Sequence, residues 1–178
     1  MVRDFEVRPI EPTIVERILV NSLRGPSAGF AQGFDLLVLD RPDQTARFWG
    51  ATAAEPGSAQ RWSGIANAPL VVVLFPDELA YRRRFGAPDK TASLDVPWWL
   101  VDTSFAAMTM LHSAVDAGLG AIFFRVNDPA GVRKEFGAPE GRDPIGAVAI
   151  GHSRDDRPSL SVARGRRPFD EMVHRGGW

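Results

Sequence analysis

The sequence predicts an α+β fold, a sheet of four or five strands packed by helices. Three observations carry that prediction. Short β-branched or apolar runs of strand length occur at Phe34–Leu39, Pro69–Phe75, Ala121–Val126 and Pro144–Gly151. Stretches with apolar residues at helical spacing separate them, and one of these, Trp98–Gly118, is apolar almost all round. The strands are too few and too short for a doubly wound sheet, so helices are expected to cover a small sheet.

Taken in order, Arg3–Pro9 lacks periodicity and reads as an extended lead-in. Pro12 suits the first turn of a helix, and Ile14, Val15, Ile18, Leu19 and Leu23 follow on one face until Gly25-Pro26 stops it. The loop Gly25–Gly33 is poor in side chains and leads straight into the first strand, so its backbone N–H and C=O groups are expected to lie open to a flat ligand. Asp40–Asp43 reads as a turn, Gln44–Trp49 as the start of a short helix, and Ala51–Ser63 carries little pattern. The run PLVVVLF has the character of a strand buried on both faces. Asp77–Phe85 is predicted helical, with Arg82, Arg83 and Arg84 on a solvated face.

The Trp98–Gly118 helix leaves only a narrow polar stripe through Asp102, Thr109, Ser113 and Asp116. Such a helix is central to its own domain, lies at a subunit interface, or both. Gly118-Leu119-Gly120 ends it as a C-cap, and Pro129–Phe136 is a further short helix. The last stretch, His152–Trp178, has no periodicity of its own but carries Phe169, Met172, Val173 and Trp178, so it is expected to pack on another surface. Neither a repeat nor a linker breaks the chain, which reads as one domain over residues 1–178 with an extension from about residue 152.

Composition narrows the function classes. With 178 residues and 44% apolar content the chain can bury a sizeable core. A net charge of −1 argues against a general nucleic-acid or membrane binder. Without cysteine there is no disulfide, thiolate metal site or cysteine nucleophile, and a cytoplasmic location is expected. His112, His152 and His174 belong to no metal-ligand pattern, so no metal is expected.

Three motifs compete for the chemistry. Gly25-Pro26-Ser27-Ala28-Gly29 spells G-x-S-x-G, which would make Ser27 a hydrolase nucleophile with His152 or His174. That motif requires a strand before the serine and a helix after it, the reverse of the order here. Gly118-Leu119-Gly120 opens like a dinucleotide fingerprint, but Phe123 takes the third glycine's place and a helix precedes it. The arginines at 164, 166 and 167 offer planar forks suited to phosphate oxygens, against the plainer reading of a solvated basic tail. Trp98-Trp99 points two rings in different directions, so one can face a pocket.

The loop Pro26-Ser27-Ala28-Gly29-Phe30-Ala31-Gln32-Gly33-Phe34 resembles the P-[ST]-S-x-N-x-Q-P-W segment of the FMN-dependent nitroreductase superfamily. The order of features is similar along the whole chain. A long helix ends in Gly-Leu-Gly and a strand, PIGAVAIG resembles the family's P-x-x-x-x-x-x-G strand, and Arg164-Gly165-Arg166-Arg167-Pro168 resembles its basic R-x-R-x-P tail. The resemblance implies a homodimer with two FMN molecules at its interface, each subunit's C-terminal extension wrapping the other. It implies that Pro26, Ser27, Ala28 and Gly29 line the flavin with Gln32 nearby. Phe123, Phe124, Arg125 and Val126 would run along the ring at N5, Arg3 would lie near N1/O2, and Arg164 and Arg166 would grip the phosphate. Phe30, Trp98 and Trp99 would line the substrate pocket. The implied activity is transfer of hydride from NAD(P)H through FMN to a nitroaromatic, quinone or similar acceptor by a ping-pong cycle, with no catalytic side chain required. A dimer that binds or stores flavin without turnover is the non-enzymatic alternative.

The sequence departs from the family pattern within the loop and at the start. Phe30 replaces the usual Asn and Gly33 the Pro, and a Phe at this point resembles the branch that makes the lower ligand of cobalamin by breaking down its own FMN. Arg3 matches the last Arg of the family's R-R-S-x-R opening while Met1 falls on its Ser, so FMN is expected to bind more weakly than in a form extended upstream.

Overall fold

A computed structural model describes residues 1–52, 64–91, 93–154 and 160–178. The patternless stretch from residue 53 to 63 lies outside the described residues. Four strands form one antiparallel sheet: β1 (Phe34–Leu39), β2 (Leu70–Pro76), β3 (Gly120–Phe124) and β4 (Gly146–Gly151), in the order β1-β2-β4-β3. The helices are α1 (Pro12–Ser22), α2 (Pro42–Thr52), α3 (Glu78–Phe85), α4 (Trp98–Asp116) and α5 (Pro129–Phe136). The α+β expectation holds, at the lower strand count.

The apolar runs explain the layering. β2 is buried from Leu70 to Phe75, and its residues alternate between two cores. Leu70, Val72 and Leu74 face α1 and α4, whereas Val71, Val73 and Phe75 face Phe48 of α2 and Val132 of α5.

 Val72 sits at the centre of the first core, wholly buried against α4. Because both faces of the sheet are covered, neither side of β2 carries a polar residue. In β1, Asp35 interrupts the apolar run at an exposed position, where it pairs with Arg142, and Arg142 also reaches Asp77 at 2.7 Å. The lead-in is tied to the sheet by a bridge between Phe5 and Ser153 and by the Val2 N–H, which donates to the Ala121 C=O at 3.1 Å.

Two expectations are corrected. The helix expected from Gln44 starts at Pro42, because Pro42 serves as a helix N-terminal proline and Asp43 as a first-turn acid, not as turn residues. The stripe on α4 is divided, with Asp102 buried and Asp116 exposed. Asp102 is only 3% exposed, whereas Phe105, Met108 (51%) and Val115 (67%) face outward. One side of α4 is spent on α1 and the sheet, and among the described residues the opposite side is left exposed at Leu100, Phe105, Met108 and Val115.

Candidate functional site

The Gly25–Gly33 loop leaves α1, crosses the N-terminal half of α4 and enters β1. Its middle is a single 3-10 turn, Ala28–Phe30, with positive φ at Gly29 (+60°), Phe30 (+55°) and Gln32 (+49°). Glycine adopts that conformation freely, but Phe and Gln are strained there by about 1–2 kcal/mol each. The surroundings hold the strain in place. The Ala28 N–H donates to Asp102 Oδ2 at 2.8 Å, the Gln32 N–H to Ser27 Oγ at 2.8 Å, and Arg84 Nε to the Gly29 C=O at 2.9 Å. Arg84 is itself fixed by two 2.8 Å bonds to Asp89, which hold the Asp89 carboxyl below its ordinary range. Gly33 lies so close to Tyr81 that a Cβ would stand 2.5 Å from the ring. Any side chain at position 33 would meet that ring.

Asp102 is the centre of this arrangement. Its Oδ2 also accepts the hydroxyl of fully buried Tyr81 at 2.5 Å. Burial first, and then the hydrogen bond to Asp102, push the Tyr81 phenol up to about 12, so it stays a donor at any neutral or mildly alkaline pH.

Above Asp102 opens a hollow of about 600 Å³ lined by Pro26, Ser27, Ala28 and Gly29, by the rings of Phe85, Trp98 and Phe105, and by Lys90, Ser93 and Asp95. The volume suits a flat ring system. Several sequence expectations meet here, and others do not. Pro26–Gly29 and Trp98 come together as expected. Trp99 does not: it turns to a second hollow beside Pro76, Asp77 and Arg142, its ring 6.5 Å from that of Tyr81. Phe30 is 77% exposed and does not line the hollow. Gln32 is exposed and contributes only its backbone N–H. The expectation of open backbone groups is also corrected, since the Ala28 N–H and the Gly29 C=O are both taken within the chain. The loop therefore offers shape and apolar surface.

The remaining candidate residues lie elsewhere. Phe123–Val126 ends the edge strand β3, about 14 Å from β1 across three strand spacings. Phe123 packs beside Gly146, Phe124 stacks on Trp49 at 5.4 Å, Arg125 is exposed and Val126 is buried. The Ala121 C=O faces the lead-in strand and not β4, so the backbone groups of Phe123, two residues on, face the same open edge. Arg3 sits half-buried beside that edge, and Arg164 and Arg166 are exposed on the tail. A single chain thus carries two separate surfaces: an apolar cradle around Asp102, and an edge with outward backbone groups and a cation.

Asp102 and Arg84 are the residues that sequence reasoning missed. Asp102 read as one position of a narrow polar stripe and Arg84 as one of three solvent-facing arginines. Their only signal was their type, a carboxylate on an apolar helix and a cation beside a glycine-rich loop. Ser27 has no histidine near it in the hollow, its oxygen accepts the Gln32 N–H, and a helix precedes it, so the geometry does not favour a hydrolase.

The nitroreductase family profile matches residues 1–152, stopping where the tail begins. The chain belongs to the nitroreductase family. Among curated relatives it is 25% identical over 193 residues to the 5,6-dimethylbenzimidazole synthase of Rhodobacter capsulatus, covering 99% of this chain and 85% of that protein. Among solved structures, a nitroreductase-type protein of Exiguobacterium sibiricum in complex with FMN superposes with a TM-score of 0.76 at 16% identity, covering 98% of this chain and 91% of that one. The NADPH:FMN oxidoreductase of Vibrio harveyi, complexed with NAD+, gives 0.74 at 20% identity, covering 99% and 73%. These likenesses establish the fold. No helix among the described residues is long and apolar enough to cross a membrane.

Proposed function

We propose that the protein is an FMN-dependent oxidoreductase of nitroreductase type that works as a homodimer. The observation that carries this reading is the division of the candidate site into two incomplete halves. The Pro26–Gly29 cradle supplies aromatic walls and an apolar floor but few free hydrogen-bonding groups. The β3 edge, with Arg3 beside it, supplies backbone groups and a cation but no cradle, and the tail adds Arg164 and Arg166. A second copy places one half against the other. The exposed apolar face of α4, with Leu100, Phe105, Met108 and Val115, offers the surface on which such a dimer forms, and the exposed Phe169, Met172 and Trp178 offer a tail that wraps the partner.

The residues fit a flavin. Three rings and small loop residues suit a flat tricyclic ring, and Arg164 and Arg166 suit its phosphate. Bound FMN would supply hydride transfer, from NAD(P)H to a nitroaromatic, quinone or related acceptor. The chain's own share is to orient the ring, exclude water from its face and hold Arg3 where negative charge develops.

A second reading is favoured by Gly29-Phe30 and by the dimethylbenzimidazole synthase relative: FMN itself is the substrate. One preparation separates the readings. Protein reconstituted with FMN is mixed with NADH or NADPH, with and without menadione or a nitroaromatic. Sustained nicotinamide oxidation with the acceptor reduced supports the oxidoreductase. Loss of flavin with appearance of 5,6-dimethylbenzimidazole supports the second reading. Bound flavin with neither reaction leaves a storage dimer, and no flavin binding at all overturns the proposal.

A further inference from the structure

We propose that Asp102 is a positioning residue that also sets the redox potential of the ring held in the Pro26–Gly29 cradle. This rests on the flavin reading above. The carboxylate is 3% exposed and lines the hollow directly beneath the loop. One oxygen, Oδ2, takes both the Ala28 N–H and the Tyr81 hydroxyl. Two donors on one oxygen suit an ionised carboxylate, and among the described residues no arginine or lysine pairs with it.

A neutral amide could accept the Ala28 N–H equally well, without the cost of burying a charge. The charge is therefore more than a loop fastener. Tyr81 stays protonated, so it stabilises the negative charge without cancelling it. The other charged groups on the hollow, the Lys90 ammonium and the Asp95 carboxylate, sit in the Gly86–Pro97 wall, which is open to water; Asp95 is exposed and Lys90 half-buried. Water and salt screen them far more than they screen Asp102.

A flat ring that takes up hydride gains one unit of negative charge. Asp102 beneath it opposes that gain, which lowers the ring's potential and makes the reduced form a stronger hydride donor. The cradle half of the site thus pushes the potential down, and the cationic edge half pushes it up.

The test measures the midpoint potential of FMN in the reconstituted dimer, by equilibration with reference dyes, for the wild type, Asp102→Asn and Tyr81→Phe. Asn, with its amide oxygen in the place of Oδ2, keeps the acceptor for both the Ala28 N–H and the Tyr81 hydroxyl but removes the charge. At a fixed applied potential, the reduced-to-oxidised ratio of Asp102→Asn is expected to rise at least tenfold, equivalent to about 30 mV for a two-electron couple. Tyr81→Phe removes one donor and leaves the charge less stabilised, so its potential is expected to fall. An unchanged Asp102→Asn potential overturns the proposal. If that variant fails to fold, a Tyr81→Phe potential at or above the wild-type value overturns it instead. A flavin-free arm separates this failure from failure of the flavin reading. The cation 1-methylnicotinamide is expected to bind apo wild type several-fold more tightly than neutral nicotinamide, a preference Asp102→Asn loses. Equal affinity for the two probes in the wild type removes the charge from the hollow's recognition and overturns the proposal.

Discussion

The Gly25–Gly33 loop and the C-terminal tail are both irregular, yet they are held by opposite means. The loop is fastened at every strained residue by groups from α3, α4 and its own backbone, and it closes on the ring of Tyr81. Among the described residues, the tail is tied to the lead-in only at its start, through His152–Arg154; from residue 160 on, Arg167 reaches the Glu171 C=O at 3.1 Å and His174 stacks on Trp178 at 4.4 Å. Its large side chains remain exposed. A segment fastened to its own fold contributes to stability wherever the chain is. A segment with apolar residues and only local contacts contributes when another surface arrives. Damage to the loop should therefore appear as lost stability, and damage to the tail as lost binding.

The largest expected effect comes from the tail. Removing residues 160–178 should leave the melting temperature of the flavin-free protein nearly unchanged, yet raise the FMN dissociation constant by more than a factor of about 100, because two charge-assisted phosphate contacts are worth roughly 3 kcal/mol or more together. Flavin-fluorescence quenching reads the affinity, and light scattering at the same concentration reads the dimer. The double variant Arg164→Ala, Arg166→Ala sharpens this: affinity should fall at least about tenfold while the dimer persists. Unchanged affinity in both would return the arginines to a merely solvated tail.

Next comes the loop. Gly33→Ala would place a Cβ 2.5 Å from Tyr81 Cε2 and 2.9 Å from the Ala80 Cβ. Tyr81 is fully buried and cannot swing aside, so the variant should lose about 1–3 kcal/mol of unfolding free energy in a denaturant titration. A variant as stable as the wild type would show that the loop is looser than its hydrogen bonds imply.

The sequence revealed these two regions unequally, for physical reasons. PLVVVLF announced β2 because a strand covered on both faces needs no polar residue, and the pattern is local. The tail's apolar residues, exposed in the structure, were visible through composition alone. The loop's fastenings were hidden, since they join residues 55 and 74 positions apart. Asp102 shows the limit most plainly. A helical wheel tells which positions are polar, but not that a tyrosine from α3 and an amide from the loop will close over one of them. For Phe105, Met108 and Val115 the sequence left a covered face and an interface face equally open, because apolar spacing is the same for both. Phe30 was a pocket residue by resemblance alone, and its positive φ leaves no mark in the sequence.

The smallest expected effect tests the fastening at its centre, through pH. The Tyr81 phenol is raised from 10.0 to about 12 in the folded protein, by burial and by the bond to Asp102. A group whose folded value is raised stabilises the fold fully below its unfolded value and loses that contribution as pH rises through the folded value. The stabilisation should thus be constant below about pH 10 and fall away between about pH 10 and 12. Other groups titrate in the same window, so the informative quantity is the difference between wild type and Tyr81→Phe. Phenylalanine keeps the ring against Gly33 but has no proton to lose. In urea titrations the wild type's advantage over Tyr81→Phe should shrink by about 1–2 kcal/mol across that window and stay flat from pH 6 to 9. A difference that does not change with pH would mean that the phenol is hydrated in the folded state, and that Asp102 holds the loop through Ala28 alone.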